Sequence, residues 1–140
     1  MRIAIIYWSG TGNTESMAML IAEGARVSGA EVDVLPVTQC DGGLLDQYDR
    51  FAFGCPSMGE EELEDMEFLP HYEKIEKRLA GKDVALFGSF GWGDGQWMRD
   101  WQDRVVAKGA KLFEEGLAIQ EDPTPEAEVC REFGSRFASY

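Results

Sequence analysis

Three short segments of the chain combine glycine, hydroxyl groups and large soft side chains in ways that could do chemistry. The first is Trp8-Ser9-Gly10-Thr11-Gly12-Asn13-Thr14. Gly10 and Gly12 permit close backbone approach and turns at positive φ. Between a strand and a helix, the free N–H groups and the helix dipole make such a loop an anion site. Ser9, Thr11 and Thr14 add hydroxyl donors. No Lys or Arg lies between Arg2 and Arg26, so this is not a P-loop. Gly10 and Gly12 are followed by Glu15, so it is not the dinucleotide fingerprint G-x-G-x-x-G either. A neutral cradle suits one terminal monophosphate held by hydrogen bonds; the plainer reading is a Gly-rich connector with a Thr cap.

The other two segments are Cys55-Pro56-Ser57-Met58-Gly59-Glu60-Glu61 and Ser89-Phe90-Gly91-Trp92-Gly93-Asp94-Gly95. Glycines on both sides leave the Trp92 ring uncrowded. An indole at a sheet edge exposes apolar area unless it stacks on something flat. Met58 could cover the opposite face, because a thioether packs well on π-systems. Singly, Trp92 reads equally well as a core residue and Met58 as a loop plug. Together, opposite a phosphate cradle, they point to a flat ring system with a phosphate tail.

These segments need strands and helices to position them. Apolar β-rich runs at 2–7, 31–35, 50–55, 83–88 and 111–119 predict five strands. The stripe Met17, Leu20, Ile21, Gly24, Ser28 predicts a helix that Gly29 ends. Further helices are expected over 69–79, 96–107 and 124–138, with one short helical turn in the polar stretch 39–47. Alternating strands and helices imply parallel pairing through right-handed crossovers, in a three-layer α/β sandwich spanning 1–140 as one domain. In such sheets ligands sit beyond the carboxyl ends of the strands. All three chemical segments leave those ends.

In this order and spacing, W-S-G-T-G-N-T, M-G-E-E and G-S-F-G-W-G-D-G resemble the flavodoxins, most closely the short-chain, clostridial type. The resemblance runs end to end. It implies the strand order 2-1-3-4-5 with FMN at the switch point. By position, Ser9, Gly10, Thr11, Gly12, Asn13 and Thr14 are expected to hold the FMN phosphate, with Ser89 adding to that site. Met58 and Trp92 are expected to flank the ring, within a second loop comprising Pro56, Ser57, Gly59 and Glu60. Gly59 is expected beside flavin N5 and Glu61 to accept from N3–H. Phe90, Gly91 and Gly93 are expected to line the pyrimidine edge or ribityl side. Two departures stand out: Pro56 replaces a serine that some relatives use, and Phe90 replaces a frequent tyrosine. The fifth strand is expected to run straight through, without the inserted loop of the long-chain class.

The implied function is a low-potential one-electron carrier working between the semiquinone and hydroquinone states of FMN, with no substrate turnover of its own. The acidic run 60–67 would disfavour further negative charge on the cofactor. A small FMN-dependent NAD(P)H or quinone reductase is the rival; no basic cluster for a second nucleotide is readable. A non-redox domain on the same fold is a third reading.

Composition agrees. The 140 residues are 44% hydrophobic and 11% aromatic, enough for a core. Thirteen Lys and Arg against 26 Asp and Glu give a net charge of −13. That excludes a basic nucleic-acid footprint and disfavours anionic membranes. A basic protein partner, or simple solubility, fits better; the resemblance implies redox partners with a basic docking face, a reductase or ferredoxin-linked donor and a low-potential acceptor enzyme. Cys40, Cys55 and Cys130 form no C-x-x-C and cannot all pair, which suggests reduced thiols in a cytoplasm; a monomer is expected. His71 reads as a surface residue, no metal is expected, and the C-x5-R of Cys130 and Arg136 reads as chance.

Overall fold

The run Arg2–Tyr7 forms β1, and all but its first residue are buried. Such a strand belongs in the middle of a parallel sheet with both faces covered. The computed structural model describes every residue from Met1 to Tyr140 and places it there. β1 pairs in parallel with β2 (Glu31–Pro36) on one side and β3 (Arg50–Gly54) on the other. β3 pairs with β4 (Asp83–Phe90), β4 pairs on its far side with β5 (Lys111–Leu112), and the sheet order is β2-β1-β3-β4-β5.

Alternate residues of a strand face opposite sides, so β1 feeds two cores. Ile3 and Ile5 pack with Met17 and Ile21 of α1 (Asn13–Val27) and with Phe133 and Phe137 of α4 (Ala127–Ser139). Ala4 and Ile6 share the other core with Phe68 and Tyr72 of α2 (Phe68–Glu76) and with Trp97 and Trp101 of α3 (Gln96–Ala107). Gly24 and Gly134 let α1 and α4 meet backbone to backbone. A Cβ at Gly24 would lie 1.8 Å from the carbonyl oxygen of Arg131, and one at Gly134 2.0 Å from that of Ile21. No helix is long and apolar enough to cross a membrane.

The expected unbroken fifth strand is the main correction. It divides into β5 (Lys111–Leu112) and β6 (Leu117–Gln120), both parallel to β4 on the same edge. Phe113 turns into the α1–α4 core and Glu114 adopts φ 49°, which no strand tolerates. The N–H of Gly116 donates to Gln102 Oε1 at 2.6 Å instead of to a strand partner. A Cβ on Gly116 would come within 2.2 Å of Met98 Sδ. Smaller differences follow local chemistry. α2 stops at Glu76, short of Leu79, and Thr124–Glu126 is a tight turn leading into α4. β4 runs two residues past 88, so Ser89 and Phe90 pair with Ile119 and Gln120. His71 is half-buried, its Nδ1 2.8 Å from the carbonyl oxygen of Glu67. Cys130 is buried in α4 while Arg136 pairs with Glu114 outside, so C-x5-R builds no anion cradle.

Candidate functional site

The first loop leaves β1 with the N–H of Trp8 donating to the carbonyl of Gly54 at 3.0 Å, which extends the ladder by one residue. Gly12 then takes φ 98° and starts α1 with no side-chain cap. The N–H groups of the first turn have no partner within the helix, and they open onto the sheet edge. Ser9 Oγ accepts from the N–H of Gly12 at 3.1 Å, which leaves its own proton free to donate. Thr14 and Ser89 are both buried, with their hydroxyls 2.9 Å apart; the N–H of Ser89 also donates to Thr14 Oγ1 at 3.3 Å. The first and third loops are thus pinned together where an anion would sit. Gly10, Thr11 and Gly12 are exposed and Asn13 is half-buried.

Beside this cradle lies a cleft of about 310 Å³. Its walls are Gly10, Thr11 and Asn13, then Pro56, Ser57 and Met58, then Ser89, Phe90 and Gly91. The three segments singled out in the sequence therefore meet in one place. Glu121 completes the wall and was not anticipated. Its N–H donates to the carbonyl of Phe90 at 2.9 Å, and Gln120 Nε2 donates to that of Gly91 at 3.1 Å. The rule that ligands gather at strand ends could have found it, because Gln120 ends β6.

The second loop is a tight turn. Met58 and Glu62 exchange backbone hydrogen bonds at 2.8 and 2.9 Å, with Gly59, Glu60 and Glu61 at the tip. Gly59 has φ 54° and Glu61 φ 57°. Positive φ is routine for glycine but costly for a glutamate. Glu61 is held there by its side chain, whose Oε1 accepts from the N–H of Gln96 at 3.1 Å. It caps α3 from another loop, where the helix dipole favours a negative charge. Gly93 holds φ 91°, and a Cβ there would lie 2.4 Å from that oxygen, so any other residue would have to push the carboxylate aside.

Two large side chains stand out from these loops. Trp92 is 62% exposed and Met58 41% exposed, while Phe90 turns inward onto the Trp97 ring at 5.5 Å. The core alternative for Trp92 is thereby excluded.

The acidic run 60–67 is not uniformly solvated. Glu64 is only 6% exposed and accepts the N–H groups of Met66, Glu67 and Phe68 at 2.7 to 2.8 Å. Burial pushes its carboxyl up, but the three donors outweigh that and hold it below the usual carboxylate value. Glu64 is the anchor of α2, and its own N–H donates to Cys55 Sγ at 3.4 Å. Glu67 accepts from Trp8 Nε1 at 3.2 Å and ties the first loop to the second. Neither link has a spacing signal; only the three-dimensional path of the chain creates them. Tyr7 donates to Glu15 Oε2 at 2.7 Å, and burial with this bond raises its phenol to about 12.

The flavodoxin family model matches residues 5–134. The chain is 46% identical to a flavodoxin of Clostridium beijerinckii over 96% of its length and 98% of the relative's. It is 40% identical to a flavodoxin of Megasphaera elsdenii over 97% and 98%. The solution structure of two-electron reduced Megasphaera elsdenii flavodoxin superposes with a TM-score of 0.89 at 39% identity, covering 99% of both chains. Oxidised Flavodoxin 1 from Bacillus cereus gives 0.88 at 29% identity, covering 100% of this chain and 99% of that one. Loops, sheet order and relatives agree: the chain belongs to the flavodoxin family of FMN-binding electron carriers.

Proposed function

We propose that the 9–14 cradle holds the phosphate of FMN, that Met58 and Trp92 cover its ring, and that the whole chain, 1–140, acts as one low-potential carrier with no substrate turnover of its own. The observation that carries this reading is an uncapped helix start with free N–H groups beside a cleft lined by Met58, with Trp92 exposed next to the lining residues Phe90 and Gly91. Both halves fit the group. The cradle is neutral and donor-rich, as a phosphate monoester requires, and the apolar pair would lose its exposure against a flat ring. FMN, when bound, supplies one-electron redox chemistry.

The chain's residues set how that chemistry runs. Ser9 Oγ–H and the N–H groups of Asn13 and Thr14 would donate to phosphate oxygens, while the Gly12 N–H stays on Ser9 Oγ and aims that hydroxyl. Glu61 keeps one carboxylate oxygen on Gln96 N–H, and its other oxygen can accept from a ring N–H. Gly59, at the tip of the turn, can rotate its peptide and offer its carbonyl to a protonated ring nitrogen, because glycine crosses between negative and positive φ freely. Glu60, Glu62, Asp65 and Glu121 are exposed carboxylates around the site. Each one about 10 Å from a negative charge, at an effective dielectric of ~20, opposes it by roughly 1.7 kcal/mol, or ~70 mV per electron before salt screening. Several together favour a low potential and a basic partner protein. Three free, buried cysteines support work in a reducing cytoplasm.

The test is direct. The purified protein is expected to bind FMN far more tightly than riboflavin, to take up electrons in two one-electron steps on reductive titration, and to oxidise NAD(P)H only when a separate reductase is added. Equal affinity for the two flavins would remove the phosphate from the cradle. Unassisted NAD(P)H oxidation would make the chain a reductase.

A further inference from the structure

A second cavity, of about 270 Å³, lies between residues 61–69 and α3. It is smaller than pockets that bury a whole cofactor. Its walls are the half-buried Leu63 and Leu69, above the inner rings of Trp97 and Trp101. Glu62, Asp65 and Asp100 also line it, and all three are exposed. The cation in the lining, Arg104, is already committed: it donates to the two carboxylate oxygens of Glu76 at 2.7 and 3.0 Å, with Glu73 at 3.8 Å. Apolar walls with an anionic rim match one kind of protein side chain, a long aliphatic stem that ends in a cation.

We propose that this cavity is the anchor point for a lysine or arginine side chain of the redox partner. The inference rests on the reading of this chain as a carrier for basic partners, and adds where and how they seat. A net charge of −13 draws any basic protein inward without choosing an orientation. A single pocket that takes one basic side chain does choose, as buried arginines do at other interfaces. The choice is useful here, because Glu61 borders the cavity and also belongs to the Met58–Glu62 turn. A partner anchored at this point lies against the exposed side of the cofactor site.

The test uses the FMN-loaded protein and two readouts. N-acetyl-L-arginine methylamide is titrated while the methyl resonances of Leu63 and Leu69 are followed, with N-acetyl-L-norleucine methylamide as the uncharged match. Saturable shifts with the arginine probe alone are expected. Equal shifts with norleucine would make the occupant apolar and overturn the proposal, as would no saturable shift with either. The second readout is reduction of ferric cytochrome c, a basic haem protein, with one electron passing from reduced flavin to haem iron. Asp65→Asn with Asp100→Asn is expected to slow this at low salt at least fivefold. Glu126→Gln with Glu132→Gln, which removes the same charge from the opposite face, is expected to slow it less than twofold. Equal slowing by both pairs, with the salt dependence kept, would overturn the anchor and leave the basic-partner reading standing. A rate independent of salt in the unaltered protein would overturn that reading, and the anchor with it.

Discussion

In the 9–14 cradle the polar groups answer one another: Ser9 takes the N–H of Gly12, and Thr14 pairs with Ser89. No formal charge lies between Arg2 and Glu15. In the 58–62 turn the arrangement is reversed. Two residues there hold positive φ, three of the five are glutamates, and Met58 projects outward. The cradle is pre-organised and neutral, which suits affinity for one fixed anion. The turn stores conformational and electrostatic tension, which suits a group whose charge and protonation change. The two differ in what a mutation can reach: affinity through the first, potentials through the second.

The sharpest way to break this division is at the cradle. Ser9→Ala with Thr14→Ala removes two hydroxyls from the anion cradle, each worth roughly 1.5–3 kcal/mol when the acceptor is charged. FMN affinity is expected to fall by about 3–6 kcal/mol, while riboflavin affinity and the separation of the two potentials hold steady. Calorimetry with both flavins, followed by redox titration, checks this.

Trp92→Ala comes next. Loss of an aromatic cover costs about 1–3 kcal/mol of FMN affinity, combining stacking and buried area. Unlike the cradle variant, it is expected to raise the more negative potential, because water then reaches the reduced ring. Recovery of flavin fluorescence reports the lost cover; fluorescence that stays quenched would place another residue against the ring.

Gly59→Ala is smaller and more selective. A Cβ at Gly59 meets nothing within 4 Å, so the substitution tests φ alone. The penalty for positive φ is roughly 1–2 kcal/mol. The gap between the two one-electron potentials is expected to narrow by on the order of 40–90 mV, with the affinity of the oxidised form little changed. Equal weakening in every redox state would mean that the glycine serves only to make the turn.

The smallest effect concerns acid. Glu64 titrates below its unfolded value, so its contribution is complete above the unfolded carboxylate range and is lost as pH falls through the folded value. Weakening is therefore expected only below about pH 4.3. It should appear as loosening of the 58–67 loop and release of FMN before the sheet unfolds. Glu64→Gln should flatten that pH dependence, as read by flavin fluorescence alongside circular dichroism.

Much of this was legible in the residues. β1 showed itself as a continuous apolar run, α1 as a stripe that includes Gly24, and the three loops as clusters of glycine with unusual side chains. These signals are local, so a linear reading catches them. The break after Leu112 was not legible: it depends on Phe113 reaching the far core and on Gln102 and Met98 of α3 meeting Gly116. Glu64 looked like one more surface acid in a run of acids. What separates it from its neighbours is the path of the backbone into α2, which folds three N–H groups around it. Glu121 and the Trp8–Glu67 link escaped for the same reason: their partners are far away in sequence.

The divided fifth strand makes the molecule modular at one edge. β5 and β6 grip β4 through separate sets of hydrogen bonds, and the exposed Glu114 and Glu115 between them belong to neither. A peptide spliced between these two residues would lengthen a surface excursion, at an entropic cost that grows only with the logarithm of its length. Leu117–Gln120 would still brace Phe90 and Gly91 from their own side. The gap is thus a natural socket for grafting: a reporter or a tethering segment inserted there should leave flavin binding intact, whereas the same insertion after Leu86 would split β4.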